Sequence, residues 1–369
     1  MAPQQIPVIL DITSELSWVQ CGSCRAPACY RDTPPETPTF MPDPTRYVAC
    51  DTQYCQSVVS GAQRNCDAEN PACKFVLDFY PVTSGWYTSG YLANETFNFG
   101  PTSVAGIVFG CSADIKLPDH GGSSGLLGFN RGPLSLATQL QIPRFSYFIA
   151  PDDPSESFVS WDWDPAAAAA VPAMGPSTPL LAPTANQNPY YYYVRLTGLL
   201  VDGRRLTAIP AGTFDIQANG DGGVFMSTTL PLTYLEATAY NVLRQELVNR
   251  IGLIPVPGQP DHLCFLTQSI ANARVPRLAL VFDGANAVME LAVNNYFFDI
   301  ADAGQTCLSI LPSAGVSVLG SLLQAGKIMT YDILGGQLMF ETAAGVPAQP
   351  QVPLVIIILA TLLGAWGLL

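Results

Sequence analysis

With 16 basic against 29 acidic residues in 369, the chain carries a net charge of -13 and a pI near 4.4, a balance that repels phosphate backbones and argues against a nucleic-acid partner. Its apolar content of 49% over this length supports a sizeable core and fits two lobes better than one. Only 12% of residues are charged, and 31 Gly and 32 Pro divide the chain into short elements, which favours β-structure over helix.

In chain order, residues 1–10 carry no basic segment and no adequate apolar stretch, so no signal peptide is recognisable. Alternating or continuous apolar runs bounded by Gly, Pro, Asn and Asp predict strands at 6–10, 18–20, 74–80, 105–109, 145–149, 190–196, 223–226, 278–282, 317–319, 327–331 and 337–340. The best helical pattern spans 236–251, where Ala239, Val242, Leu243, Leu247 and Val248 recur at i, i+3 and i+4; a shorter helix is predicted over 133–140. Residues 151–189 turn to low-complexity Ala, Pro, Ser and Asp, with alanine throughout 166–170, and read as an exposed connection near a lobe boundary.

Residues 352–369 are uncharged and almost wholly apolar, which reaches the lower range for crossing a bilayer. Small residues at Thr342, Ala343, Ala344 and Gly345, a short Pro/Gln spacer and this tail resemble a glycosylphosphatidylinositol attachment signal; the other reading is an uncleaved tail anchor. Both imply a membrane, and the first requires entry into the secretory pathway, so the expected location is extracellular or at the cell surface with the true start upstream. Asn94-Glu95-Thr96 is a sequon that would accept a glycan in the same compartment.

Of ten cysteines, Cys21, Cys24, Cys29, Cys50, Cys55, Cys66, Cys73 and Cys111 lie early and Cys264 and Cys307 late, which predicts two separately stapled lobes. Cys21 and Cys24 have the C-x-x-C spacing of structural zinc sites, but no second such pair exists and the histidines are His120 and His262 alone, so disulfides are preferred and no metal is expected. Pairing among the first eight stays open. An internal echo also runs through the chain: a strand reaching Asp11-Ile12-Thr13-Ser14 is followed later by Leu126-Leu127-Gly128, and one reaching Ser227-Thr228-Thr229 by Val318-Leu319-Gly320, as a duplicated lobe would give.

Val8-Ile9-Leu10-Asp11-Ile12-Thr13-Ser14, continuing to Trp18-Val19-Gln20-Cys21, resembles the first active-site strand and turn of the plant pepsin-like aspartic proteases of the nepenthesin and nucellin type, whose motif is Asp-Thr-Gly-Ser before Trp-Val-x-Cys. Further segments match in order, among them Val108-Phe109-Gly110-Cys111, Ser124 to Ser135, Phe145-Ser146-Tyr147, Tyr192-Tyr193-Val194, Leu232-Thr233-Tyr234-Leu235 and Tyr331-Asp332, and the resemblance covers roughly residues 4–342. It implies an all-β, bilobal pepsin-like fold with few short helices: an N-terminal lobe over 1–185 with its first strand apparently truncated, a C-terminal lobe over 186–345 and the hydrophobic tail over 346–369. It also implies a Cys264–Cys307 disulfide, a monomer and no cofactor.

Chemistry in that family needs two carboxylates that share a proton, one acting as base toward water while the other donates to the substrate carbonyl. By resemblance Asp11 is the first. Ile12 and Thr13 replace Thr and Gly, which should crowd the turn and reposition the carboxylate. Ser227 stands where the second Asp belongs and Thr229 where Gly belongs; a serine hydroxyl cannot share the proton of an acid dyad, and Asp221 lies upstream of the motif. Thr13, Ser14, Thr228 and Thr229 fall at substrate-binding positions. Tyr80 stands at the flap tyrosine position, although Pro81-Val82-Thr83 follows it, and an ordinary strand-end aromatic is the competing reading.

The resemblance therefore implies a homologue that is catalytically impaired or inactive, with a retained cleft for a polypeptide or a target enzyme, as in cereal xylanase inhibitors that share the fold. The alternatives are a working acid endopeptidase with an unidentified second acid, and a non-functional truncated product. Gly121-Gly122-Ser123-Ser124-Gly125 beside His120 fits the G-x-S-x-G of serine hydrolases, but it precedes apolar Leu126-Leu127 and lacks the strand-to-helix context. In Tyr190 to Tyr193, alternation predicts two rings inward and two outward, so packing is favoured over a binding platform.

Overall fold

The computed structural model describes residues 5–22, 39–40, 43–57, 65–67, 70–79, 85–117, 123–164, 175–257, 261–342 and 352–353. Tyr80, His120, Cys24, Cys29, the alanine run and all of the tail except Val352–Pro353 lie outside them. The chain divides into two compact units, Met1–Ile142 with Asp152–Ser160 and Gln349–Leu369, and Pro143–Pro151 with Trp161–Ala348.

The first unit is built on a seven-stranded sheet. Strand β1 (Ile9–Asp11), β2 (Trp18–Gln20), β3 (Thr102–Lys116) and β4 (Gly125–Gly128) form the part that carries chemistry. β4 lies parallel to β1, pairing Asp11 with Gly128, and antiparallel to β2, which in turn runs parallel to β3. Trp18, Phe75, Leu92 and Val108 fill the core below. Disulfides Cys21–Cys111, Cys50–Cys66 and Cys55–Cys73 staple this unit, so Cys21 of the C-x-x-C pair is bonded away from its neighbour in the motif.

In the second unit, β5 (Arg144–Phe148), β6 (Val224–Met226), β7 (Thr233–Glu236), β8 (Ile310–Ser313), β9 (Ser317–Leu319) and β10 (Lys327–Asp332) belong to one sheet. The pattern of the first unit returns: β9 is parallel to β6, antiparallel to β7, and β7 is parallel to β8. Residues 143–151, 161–164 and 175–185, set in the first lobe on sequence, cluster with the second unit because β5 registers with β10 and Ser177–Leu181 pairs with Gln337–Thr342. The low-complexity connection thus contains a strand, with Thr178 fully buried opposite Leu338.

An aromatic stack forms the centre of this unit, with Phe145 and Tyr331 parallel at 4.9 Å and Tyr192 against both. The two-in, two-out reading of the tyrosine run is corrected: neighbours Tyr192 and Tyr193 are 2% and 4% exposed, because Tyr193 packs on Phe225 on the opposite face. The helix Ala237–Ile251 buries Ala239, Leu243 and Leu247, is capped by the Glu236 carboxylate accepting from Thr238 and Ala239 N–H, and stops at Gly252 in a left-handed conformation. Cys264 and Cys307 are joined by a disulfide across a separate small sheet.

Gly128 and Gly320 occupy matching places. A Cβ on Gly128 would lie 2.6 Å from the Glu15 carbonyl oxygen, and one on Gly320 would lie 2.6 Å from that of Pro231. Gly128→Ala and Gly320→Ala are each expected to destabilise the protein by about 1–3 kcal/mol through backbone displacement. Gly315→Ala, with nothing within 4 Å of the added carbon, should be near neutral; urea unfolding of the three variants checks this.

Candidate active site

Asp11 ends β1, and the chain turns sharply behind it. The residue is 4% exposed, and its carboxylate is held from within its own turn: Oδ1 accepts from Thr13 N–H at 2.7 Å and Thr13 Oγ1 at 2.6 Å, and Oδ2 accepts from Ser14 Oγ at 2.6 Å. Placing Thr where the motif has Gly therefore adds a hydroxyl donor to one carboxylate oxygen. Ile12 turns into the core. β4 closes over this turn, with Phe129 N–H donating to the Asp11 carbonyl, Gly128 N–H to Ser17 Oγ and the Asn130 amide to the Thr13 carbonyl.

The second turn repeats the scaffold without the acid. Ser227 directly follows β6 and is 1% exposed; its N–H donates to the Leu319 carbonyl, and its hydroxyl accepts from Leu230 N–H at 3.2 Å and lies 3.4 Å from Thr229 Oγ1. Gly320 N–H donates to Thr233 Oγ1, the counterpart of the Gly128–Ser17 bond. Thr228 is fully buried and Thr229 half-buried. Asp221 is exposed and engaged with Asn219 at 2.6 Å in a separate turn.

Sequence reading missed two residues at these turns. Glu15 folds against the bare backbone of Gly132 and accepts from Leu134 N–H at 3.1 Å; burial pushes its carboxyl up to about 7, against the lowering effect of that N–H. An acid four residues from Asp11, between a turn and an apolar run, was the available signal. Among the described residues the Asp11 carboxylate takes its hydrogen bonds from residues 13 and 14, while Glu15 turns to Leu134. Gln324 is the other. Its buried amide donates to the carbonyls of Ser227, Leu319 and Gly320 at 2.9, 2.9 and 3.1 Å, and its carbonyl accepts from the Tyr147 hydroxyl, tying the second turn to the aromatic stack. The hint was a lone amide in the apolar run Leu322-Leu323-Gln324-Ala325.

Among the other predicted residues, Asn94 is half-buried on the strand Tyr87–Phe99. Ser123 and Ser124 of the G-x-S-x-G match are buried and lead into β4 rather than into a helix. Tyr80 and His120 lie outside the described residues.

A β-unit in which a strand ends in a buried turn clasped by a parallel partner, made twice in one chain, defines the pepsin-like aspartic protease fold. Comparison with known proteins agrees. The family described as "Xylanase inhibitor N-terminal" matches residues 1–160 and "Xylanase inhibitor C-terminal" matches 191–342. The chain is 34% identical over 336 residues to aspartic proteinase nepenthesin-2 of Nepenthes gracilis, covering 88% of this chain and 71% of the relative. It is 32% identical over 350 residues to nepenthesin-1 of the same plant, covering 92% and 75%. Basic 7S globulin from soybean is similar in fold, with a TM-score of 0.65 at 19% identity over 92% of this chain and 88% of the globulin. The chain belongs to the plant pepsin-like aspartic protease family.

Glu15 gives a pH signature. Its folded value of about 7 exceeds its ordinary 4.5, so its contribution to stability is complete below about 4.5 and is lost as pH rises from there through about 7. Glu15→Gln should remove that loss, so the difference in melting temperature between variant and parent grows in the variant's favour across this window; thermal unfolding at pH 4, 5.5 and 7.5 reads it. Separately, Gln324→Ala is expected to cost at least about 1–3 kcal/mol by leaving buried carbonyls unpaired, measured by urea unfolding.

Proposed function

We propose that this chain is a non-proteolytic member of its family that binds a polypeptide, in the manner of an inhibitor engaging a target enzyme, and does not hydrolyse it. One observation carries the reading: the buried hydroxyl of Ser227, committed to Leu230 N–H, stands where the second carboxylate is required. A hydroxyl offers neither the shared proton nor the general acid of the dyad, and loss of such a group typically costs ~10²- to 10⁴-fold in rate. The extra Thr13 hydroxyl on Asp11 further occupies the carboxylate that remains.

The description of the matching family as xylanase inhibitor supports a binding role for this fold. The competing reading is an acid endopeptidase, supported by the nepenthesin relatives and by an Asp11 carboxylate that keeps its Ser14 donor. The disulfides support passage through the secretory pathway, with the C-terminal tail as the proposed membrane attachment.

The purified full chain, incubated with denatured haemoglobin at pH 2.5–5, should show hydrolysis no faster than its Asp11→Asn variant and no response to pepstatin. Ser227→Asp alone should gain little, whereas Ser227→Asp combined with Ile12→Thr, Thr13→Gly and Thr229→Gly should gain at least about 100-fold. Pepstatin-sensitive hydrolysis by the unaltered chain, abolished by Asp11→Asn, contradicts the proposal.

A further inference from the structure

The first unit carries a groove unrelated to the Asp11 turn, with a volume of about 460 Å³, in the range that holds small organic ligands. Thr45, Arg46, Tyr47, Tyr54 and Asn94 line it together with buried Val48 and Val108. Asn94 opens the sequon Asn94-Glu95-Thr96, so a polar side chain of the right type for covalent sugar attachment stands in the wall of a preformed concavity. We propose that this groove receives the first sugar of an N-linked glycan carried on Asn94 itself.

The groove's chemistry suits a sugar. An N-acetylated hexose has apolar ring faces and an edge of hydroxyl and amide groups. Tyr54 is 42% exposed, a large apolar surface of the kind that covers such a face, while its phenol offers a polar tip. Arg46 is exposed at the rim and fixed there by Glu95 at 3.1 Å, which leaves further guanidinium donors for hydroxyl groups. Tyr47 is set against Tyr91 with ring centroids 5.3 Å apart, and its backbone bridges to Ala93 beside the sequon. Among the described residues no side chain holds the Asn94 amide, and Thr96, whose hydroxyl the attachment reaction needs, is exposed.

The segment that carries Tyr54 is also cross-linked. Thr52 caps the short helix Gln53–Gln56 that carries Tyr54, and the disulfides Cys50–Cys66 and Cys55–Cys73 lock that segment to its neighbours.

The inference rests on passage through the secretory pathway, and a host that supplies this passage makes its test independent of both the natural location and the proposed lack of proteolysis. The full chain, secreted from mammalian cells behind a leader sequence, is mapped by mass spectrometry for occupancy of Asn94. It is then treated with peptide N-glycosidase in the native and the denatured state. Asn94 should be occupied, Thr96→Ala should abolish occupancy, and native release should be at least tenfold slower than denatured release. Arg46→Ala with Tyr54→Ala changes exposed side chains; this variant should keep the glycan and the parent's melting temperature while native release accelerates at least fivefold. An unoccupied Asn94, native release as fast as denatured release, or slow release that the double variant leaves unchanged overturns the proposal. Should the double variant melt early, Tyr54→Ser alone is read against the same criterion.

Discussion

Each half of this protein depends on a place where one strand passes against the carbonyls of a turn with no room for a side chain. At Gly128 the backbone lies against Glu15, and at Gly320 against Leu232 and Pro231. The close approach lets β4 and β9 lie parallel to one neighbour and antiparallel to the other, with the glycine N–H donating to Ser17 and to Thr233. That arrangement seals the Asp11 and Ser227 turns from water, and burial is what makes the identity of each side chain there decisive.

The two turns share a scaffold and differ in the side chain it holds, a carboxylate at Asp11 and a hydroxyl at Ser227. Ser227 accepts a backbone N–H, so the second turn remains satisfied without a carboxylate, and Gln324 holds the carbonyls around it. Buried polar networks are stable only when their members are paired, and here hydroxyls and an amide meet that demand with no buried charge. In the first turn Asp11 is buried as an acid and draws three donors from two residues.

Much of this was legible in the sequence because strand periodicity and turn residues report local rules. The runs at 18–20, 278–282 and 317–319 are strands at those limits, and the helix at 236–251 differs by one residue because Glu236 serves as its cap. The paired Leu126-Leu127-Gly128 and Val318-Leu319-Gly320 segments announced the repeated unit, since apolar residues followed by an obligatory glycine leave a visible trace. What was hidden depends on partners distant in the chain. Ser177–Leu181 lies in low-complexity sequence and becomes a strand through Gln337–Thr342 on one side and Tyr193–Val194 on the other; both faces of Tyr192–Tyr193 are buried because Phe145, Tyr331 and Phe225 arrive from elsewhere. Glu15 and Gln324 were passed over for the same reason: Leu134 for the first, and Ser227 and Tyr147 for the second, are hydrogen-bond partners contributed by distant segments.

On the proposed reading, a lone buried carboxylate with a hydroxyl in its counterpart turn forms no proton-sharing acid pair. Calorimetric titration of the full chain with pepstatin at pH 4 tests this most directly, because that inhibitor is held by the paired acids of working members of the family. No saturable heat is expected for the unaltered chain. Stoichiometric binding that is lost in Asp11→Asn would contradict it.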